Sequence, residues 1–196
     1  MLRGLALACA CVLIAQVSAA QPSEADRRHA QLLFDRGRAL LDEGRFSEAC
    51  PLFAGSQKLD PGGGTLLNLA VCHDKEGRLA TAHAEYNEAL SLAIRDGRDD
   101  RRRIAEEGIA ALAPRIPHLR FELPKNVPAD ALTITVDGAV VARLAWNAAL
   151  PVDPGKHRVT ASARAARYAE RHAEPFQTAA VQDLHDSFLI DVGERA

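Results

Sequence analysis

Gly44-Arg45-Phe46-Ser47-Glu48-Ala49 returns thirty-three residues later as Gly77-Arg78-Leu79-Ala80-Thr81-Ala82. The echo extends beyond the glycines, with Phe53 answered by Tyr86 and Ser56 by Ala89. Between the copies, Leu59-Asp60-Pro61 and Gly62-Gly63-Gly64 stop one helix and make a turn. A period of this length marks stacked helix-turn-helix units, each with an apolar face that it cannot bury alone. Before the first copy, Ala30, Leu33, Phe34, Gly37, Leu40 and Leu41 keep a helical rhythm. Ser23 is placed to cap that helix, with Glu24 and Asp26 in the first turn. A second helix is predicted from about Phe46 to Lys58, with Ala49, Leu52, Phe53 and Ser56 on one face. Leu66, Leu67, Leu69, Ala70 and His73 mark a third, ending at Gly77. Leu79, Ala82, Tyr86, Ala89 and Leu90 mark a fourth that runs to about Ile94, and Asp99 to Leu112 reads as a fifth.

At Pro114 the period changes. Leu119, Phe121 and Leu123 alternate with polar residues, as do Leu132, Ile134 and Val136, the two-residue rhythm of a strand. Asp137-Gly138 is a hairpin turn signal ahead of Val140-Val141. His157, Val159, Ala161 and Ala163 continue the pattern, and Phe188, Ile190 and Val192 close it. Residues 167 to 173 suit strand or helix and are read as strand. The expected fold class is α+β: N-terminal helical repeat hairpins with a capping helix (21–113), then a small antiparallel β-sandwich (118–196).

Gly37, Gly44, Ala49, Phe53 and Pro61, repeated in large part as Ala70, Gly77, Ala82, Tyr86 and Ala89, resemble the tetratricopeptide (TPR) repeat family. Two departures stand out: the period is one residue short of that family's 34, and Arg36 occupies a position usually apolar. Pro154-Gly155-Lys156-His157-Arg158-Val159 resembles the turn and strand of the PEGA-type β-sandwich. There, Ala165-Ala166-Arg167-Tyr168 replaces the usual glycine followed by an aromatic. The order of parts resembles a group of exported bacterial proteins. For the repeats, the resemblance implies that the first helix of each hairpin lines a concave face. Carried over by position, that face is Phe34, Arg38, Leu41 and Asp42, then Leu67, Val71, Asp74 and Lys75.

The chain of 196 residues has a formal net charge of −2, with 47% apolar and 26% charged residues. Residues 21–113 carry −3 and residues 114–196 carry zero, so neither half has the basic excess that nucleic acid requires. The first twenty residues read as a signal peptide. Arg3 is followed by an apolar run from Leu5 to Val17, too short for a membrane span, and Ser18-Ala19-Ala20 suits cleavage. Export to the periplasm or the outside is expected, with no transmembrane span in the mature chain. Cys50 and Cys72 then remain, on neighbouring helices of a stack and in a setting where disulfides persist. A bond between them is expected, two buried thiols being the other reading.

No metal and no cofactor are expected. Cys72-His73-Asp74 with Cys50 lacks the paired spacings of a zinc site, and His73 falls at a core position. Gly62-Gly63-Gly64-Thr65 lacks the strand and lysine of a phosphate loop and reads as a turn. Arg101-Arg102-Arg103 reads as a solvated helix face, and Trp146 as a core residue. No nucleophile motif is present. The expected function is therefore non-enzymatic: an exported scaffold or adaptor binding a protein or peptide partner of the cell envelope through the concave face. The alternative is a glycan binder that meets envelope polysaccharide through the β-domain.

Overall fold

The computed structural model describes residues 21–121, 132–146, 148–163 and 185–192, with backbone alone for 163 and for 185–192. The expected signal peptide, Leu123 and the segment 167–173 lie outside the described residues. Five helices come first: α1 (Glu24–Asp42), α2 (Phe46–Leu59), α3 (Gly63–Glu76), α4 (Leu79–Arg95) and α5 (Asp99–Leu112). Their bounds follow from local chemistry. Ser23 caps α1, its hydroxyl accepting from Asp26 N–H while the Asp26 carboxylate accepts from Ser23 N–H. Gly44 and Gly77 take the left-handed conformation (φ 74° and 84°) that turns one helix of a hairpin into the next.

Each helix packs on its sequence neighbour, and α3 also touches α5. Two apolar clusters result. Leu40, Ala49, Cys50, Phe53, Leu69 and Cys72 join α1, α2 and α3. Leu66, Leu67, Ala70, Leu79, Tyr86, Ala105 and Leu112 join α3, α4 and α5. Both clusters use small residues to seat an aromatic ring. A Cβ on Gly37 would stand 3.1 Å from Phe53, and one on Gly108 only 2.6 Å from the Tyr86 ring. Burial, with Asp74 and Glu85 nearby, pushes the Tyr86 hydroxyl up to about 12. The Cys50–Cys72 disulfide ties α2 to α3 at a Cα separation of 5.6 Å.

The second part is antiparallel β-structure. The short strands β1 (His118–Leu119) and β4 (Leu150–Pro151) pair with each other. β2 (Leu132–Val136), β3 (Ala139–Val140), β5 (Gly155–Ala163) and β6 (His185–Val192) form a four-stranded sheet in the order β3-β2-β5-β6. Asp137 (φ 51°) and Gly138 (φ 83°) make the tight turn between β2 and β3. Ile134, Val136, Val141, Trp146 and Val159 are the core, and Leu119 and Leu150 of the β1–β4 ladder pack against it. The fold is α+β. Among the described residues the second layer is only that two-stranded ladder, smaller than the sandwich expected from the sequence.

Two outcomes test this packing. Gly108→Ala should lower the melting temperature. The gain of about 1 kcal/mol in helix preference is outweighed by a clash with a ring held on all sides, typically costing about 1–3 kcal/mol. An equal or higher melting temperature would show that Tyr86 is not wedged there. Thiol titration of the oxidised protein should find Cys50 and Cys72 unreactive and reduction should release both. The cross-link should add about 3 kcal/mol of stability for a loop this long.

Candidate functional site

α1, α3 and the start of α5 are the first helices of successive hairpins, and they enclose a cavity of about 480 Å³. Arg27, Gln31 and Phe34 face it from α1, Leu67 and Asn68 from α3, Asp100 and Arg101 from α5, and Asp60 and Arg98 from the residues that precede α3 and α5. The turn Pro61-Gly62-Gly63-Gly64-Thr65 forms its end. Gly62 is the N-cap of α3 and offers no side-chain cap. The first-turn N–H groups of a helix have no partners within it and carry the positive end of its dipole. Arg101 lies directly on this turn: a Cβ on Gly64 would come 2.9 Å from its Nη2. The glycines therefore allow a guanidinium to rest against a helix end of the same sign.

The neighbours of Arg101 are neutralised locally and it is not. Arg102 pairs with Asp99 (3.2 Å) and Arg103 with Glu107 (3.6 Å). Arg98 holds Asp100 through two hydrogen bonds (3.1 and 2.9 Å), which depresses the pKa of that carboxyl. The Arg101 guanidinium has no hydrogen bond or ion pair among the described residues, and its charge reaches Asp96 only at a distance. Its place at the groove was not read from the sequence, where the three arginines looked alike. The usable sign was the glycine triplet at a helix start with no capping side chain.

The concave face expected from the sequence is only partly open. Phe34 is half-buried and meets Phe53 edge to face, with ring centroids 5.6 Å apart. Leu41 and Val71 are half-buried against the two cores. Leu67 is 6% exposed and belongs to the core of α3, α4 and α5. The expected row of solvent-facing apolar anchors is corrected accordingly, because α5 covers the α3 positions. Arg38 reaches across to Asn68 Oδ1 (3.3 Å), while Asp42 and Lys75 are exposed and Asp74 is half-buried. Only Phe34 and Leu67 of the expected eight line the cavity.

A second polar centre sits where the two parts of the chain meet. In the first copy of the repeat, Arg45 pairs with Glu48 at 2.6 Å. In the second copy Thr81 stands in place of Glu48, and α4 has no capping side chain of its own at Arg78. The missing carboxylate arrives from Asp153, 72 residues on. Thr81 donates to it through its N–H (2.9 Å) and its hydroxyl (2.6 Å), and Arg78 lies 3.6 Å away. Asp153 thus caps α4 from the β-domain, an interaction worth about 1 kcal/mol. Behind it, His157 directs Nδ1 to the Asp137 carboxylate (2.7 Å) and Nε2 to the Asp153 carbonyl (2.6 Å). Both ring nitrogens face acceptors, an arrangement that favours the doubly protonated ring. Burial opposes that charge, but the Asp137 and Asp153 acceptors outweigh it and raise the His157 pKa.

His73 is buried, as expected of a core histidine. Its Nδ1 donates to Glu85 (2.7 Å) and its Nε2 accepts from Arg78 (2.9 Å). Cys50, His73 and Glu76 present potential ligand atoms within 4.8 Å of one another. The sequence reading weighed Cys50 and His73 together with Cys72 and Asp74; the carboxylate that the structure brings to them is Glu76. Trp146 is a core residue whose indole N–H donates to the Val141 carbonyl (3.0 Å).

No protein-family model, no curated protein and no solved structure matches this chain.

The junction has a pH signature. A raised histidine pKa stabilises the fold fully below the ordinary value of about 6.5, and that stability is lost as pH rises through the raised value. The lowered pKa of Asp137, held down first by His157 and then by Arg158 N–H, acts oppositely in acid. Stability should therefore fall as pH climbs above about 6.5, and His157→Gln should flatten that fall. Urea melts across this range are the check. An unchanged slope in the variant would show that His157 is not the titrating group.

Proposed function

We propose that the protein is a non-enzymatic adaptor, exported by its N-terminal signal peptide to the periplasm or beyond, that binds an acidic segment of a protein partner in the cell envelope. The repeats are read as TPR-like and the second part as PEGA-like. The observation that carries the proposal is Arg101 lying on the uncapped first turn of α3, inside a groove open to solvent. A guanidinium and a helix N-terminus both attract carboxylates. Arg27 adds positive charge at the α1 wall, and Phe34 supplies apolar surface beside it. Charge of this kind sets partner choice and association rate, while a half-buried aromatic supplies affinity.

The sequence suggested apolar anchors edged by both charges; this reading gives the selecting role to positive charge at one end of the groove. The glycan alternative loses its best candidate residue, because Trp146 is buried. Of the two aromatic side chains described in the β-part, Phe121 is half-buried and Trp146 buried.

The test uses a short fluorescent peptide rich in Glu with one Phe, and a Lys-rich counterpart of the same length. The acidic peptide should bind, more weakly as salt rises. Arg101→Ala should reduce affinity about tenfold, equal to about 1.4 kcal/mol, and Lys75→Ala should leave it unchanged. Equal binding of both peptides, or no loss in Arg101→Ala, would contradict the proposal.

A further inference from the structure

Beside the disulfide lies a cluster that peptide binding does not use. His73 and Glu76 stand three apart on α3, a spacing that puts them on one face, and Cys50 approaches from α2. Cys50 and His73 are buried, while Glu76 opens to solvent and gives an entry path. The Nδ1–H of His73 donates to Glu85, which leaves Nε2 as the ring's acceptor atom. This carboxylate–imidazole arrangement is the one that orients histidine towards metals. A cation already faces Nε2. Arg78 Nη1 is 2.9 Å from Nε2 and 4.0 Å from Glu76 Oε2, on a side chain that is half exposed.

The one ligand held out of use is the Cys50 sulfur, bonded to Cys72. We propose that reduction of this disulfide uncovers a zinc-class metal site formed by Cys50, His73 and Glu76, with the metal displacing the Arg78 guanidinium. A dithiol supplies two electrons and two protons and leaves as its own cyclic disulfide. Cys50 and Cys72 return as thiols, and Cys50 gives its proton to solvent when the metal binds. One thiolate, one imidazole and one carboxylate match the ligands that Zn²⁺ takes, with a fourth position left for water. Their charge of −2 equals that of the ion in magnitude, and the sulfur disfavours Mg²⁺ and Ca²⁺, which take oxygen. Cys72 stays in the core.

The probe is Co²⁺, titrated into protein carrying Cys9→Ser and Cys11→Ser so that those thiols cannot contribute. After phosphine reduction, with the phosphine removed, one Co²⁺ should bind with a thiolate-to-cobalt charge-transfer band in the near ultraviolet, and Zn²⁺ should abolish that band. The oxidised protein should show no band. Cys72→Ser frees Cys50 and should give the band without any reductant. His73→Gln and Glu76→Gln, each in the reduced protein, should weaken Co²⁺ binding by about tenfold or more, the loss seen even for supporting residues of metal sites. Helix content by circular dichroism is followed throughout. The proposal is overturned if reduced protein and Cys72→Ser both keep their helices and show no band. It is equally overturned if the band survives His73→Gln and Glu76→Gln, which would mean unspecific thiol binding. Loss of the helices on reduction also overturns it, since the site needs α2 and α3 in place.

Discussion

Helix α3 has to serve two cores at once, and most of the helical domain follows from that constraint. One side gives Leu69 and Cys72 to the cluster with α1 and α2, and the other gives Leu66, Leu67 and Ala70 to the cluster with α4 and α5. A helix buried on both sides has little room for charge, so its polar residues gather at the ends and along one seam. At the N-terminal end the glycine turn meets Arg101, and at the C-terminal end His73 meets Glu85 and Arg78. The disulfide fastens this central helix to α2. Both candidate sites lie at the places where α3 stops being covered.

The repeated hexapeptide explains how the two parts of the chain are joined. Arg45 finds its carboxylate three residues on, at Glu48, so the first copy is self-sufficient. The second copy carries Thr81 there and must obtain a carboxylate from elsewhere. Asp153 supplies it, on a loop fixed by the β1–β4 ladder and by the contact of its carbonyl with His157. One change within an internal repeat thus creates a docking point, and the α-part and β-part share a polar contact at it.

The helices were legible because their signals are local: the spacing of apolar residues, the Ser23 cap, and the glycines at 44 and 77. The Asp137-Gly138 turn and the start of β-structure at His118 were legible for the same reason. The groove was not. Leu67 was assigned to the open face by position in a repeat, but whether that position is open depends on how closely α5 lies on α3. Gly108 sets how closely α5 lies on α4, and its role appears only once Tyr86 is seen against it. Arg101 and Asp153 act across long sequence separations, and nothing in their immediate neighbours sets them apart from ordinary surface charges. Glu76 was missed because Asp74, adjacent to His73 in sequence, was read as the carboxylate, whereas three residues along a helix bring Glu76 to the same face.

The central claim is that the exposed end of α3 and Arg101 form one surface that receives carboxylates. The most direct measurement is a map of backbone amide shifts by nuclear magnetic resonance as the acidic peptide is added to labelled protein. The expected result is that Gly63, Gly64, Thr65 and Arg101 move first and saturate together, with the amides of β2 and β5 unmoved. Saturating shifts confined to β2 and β5, with the start of α3 still, would contradict it.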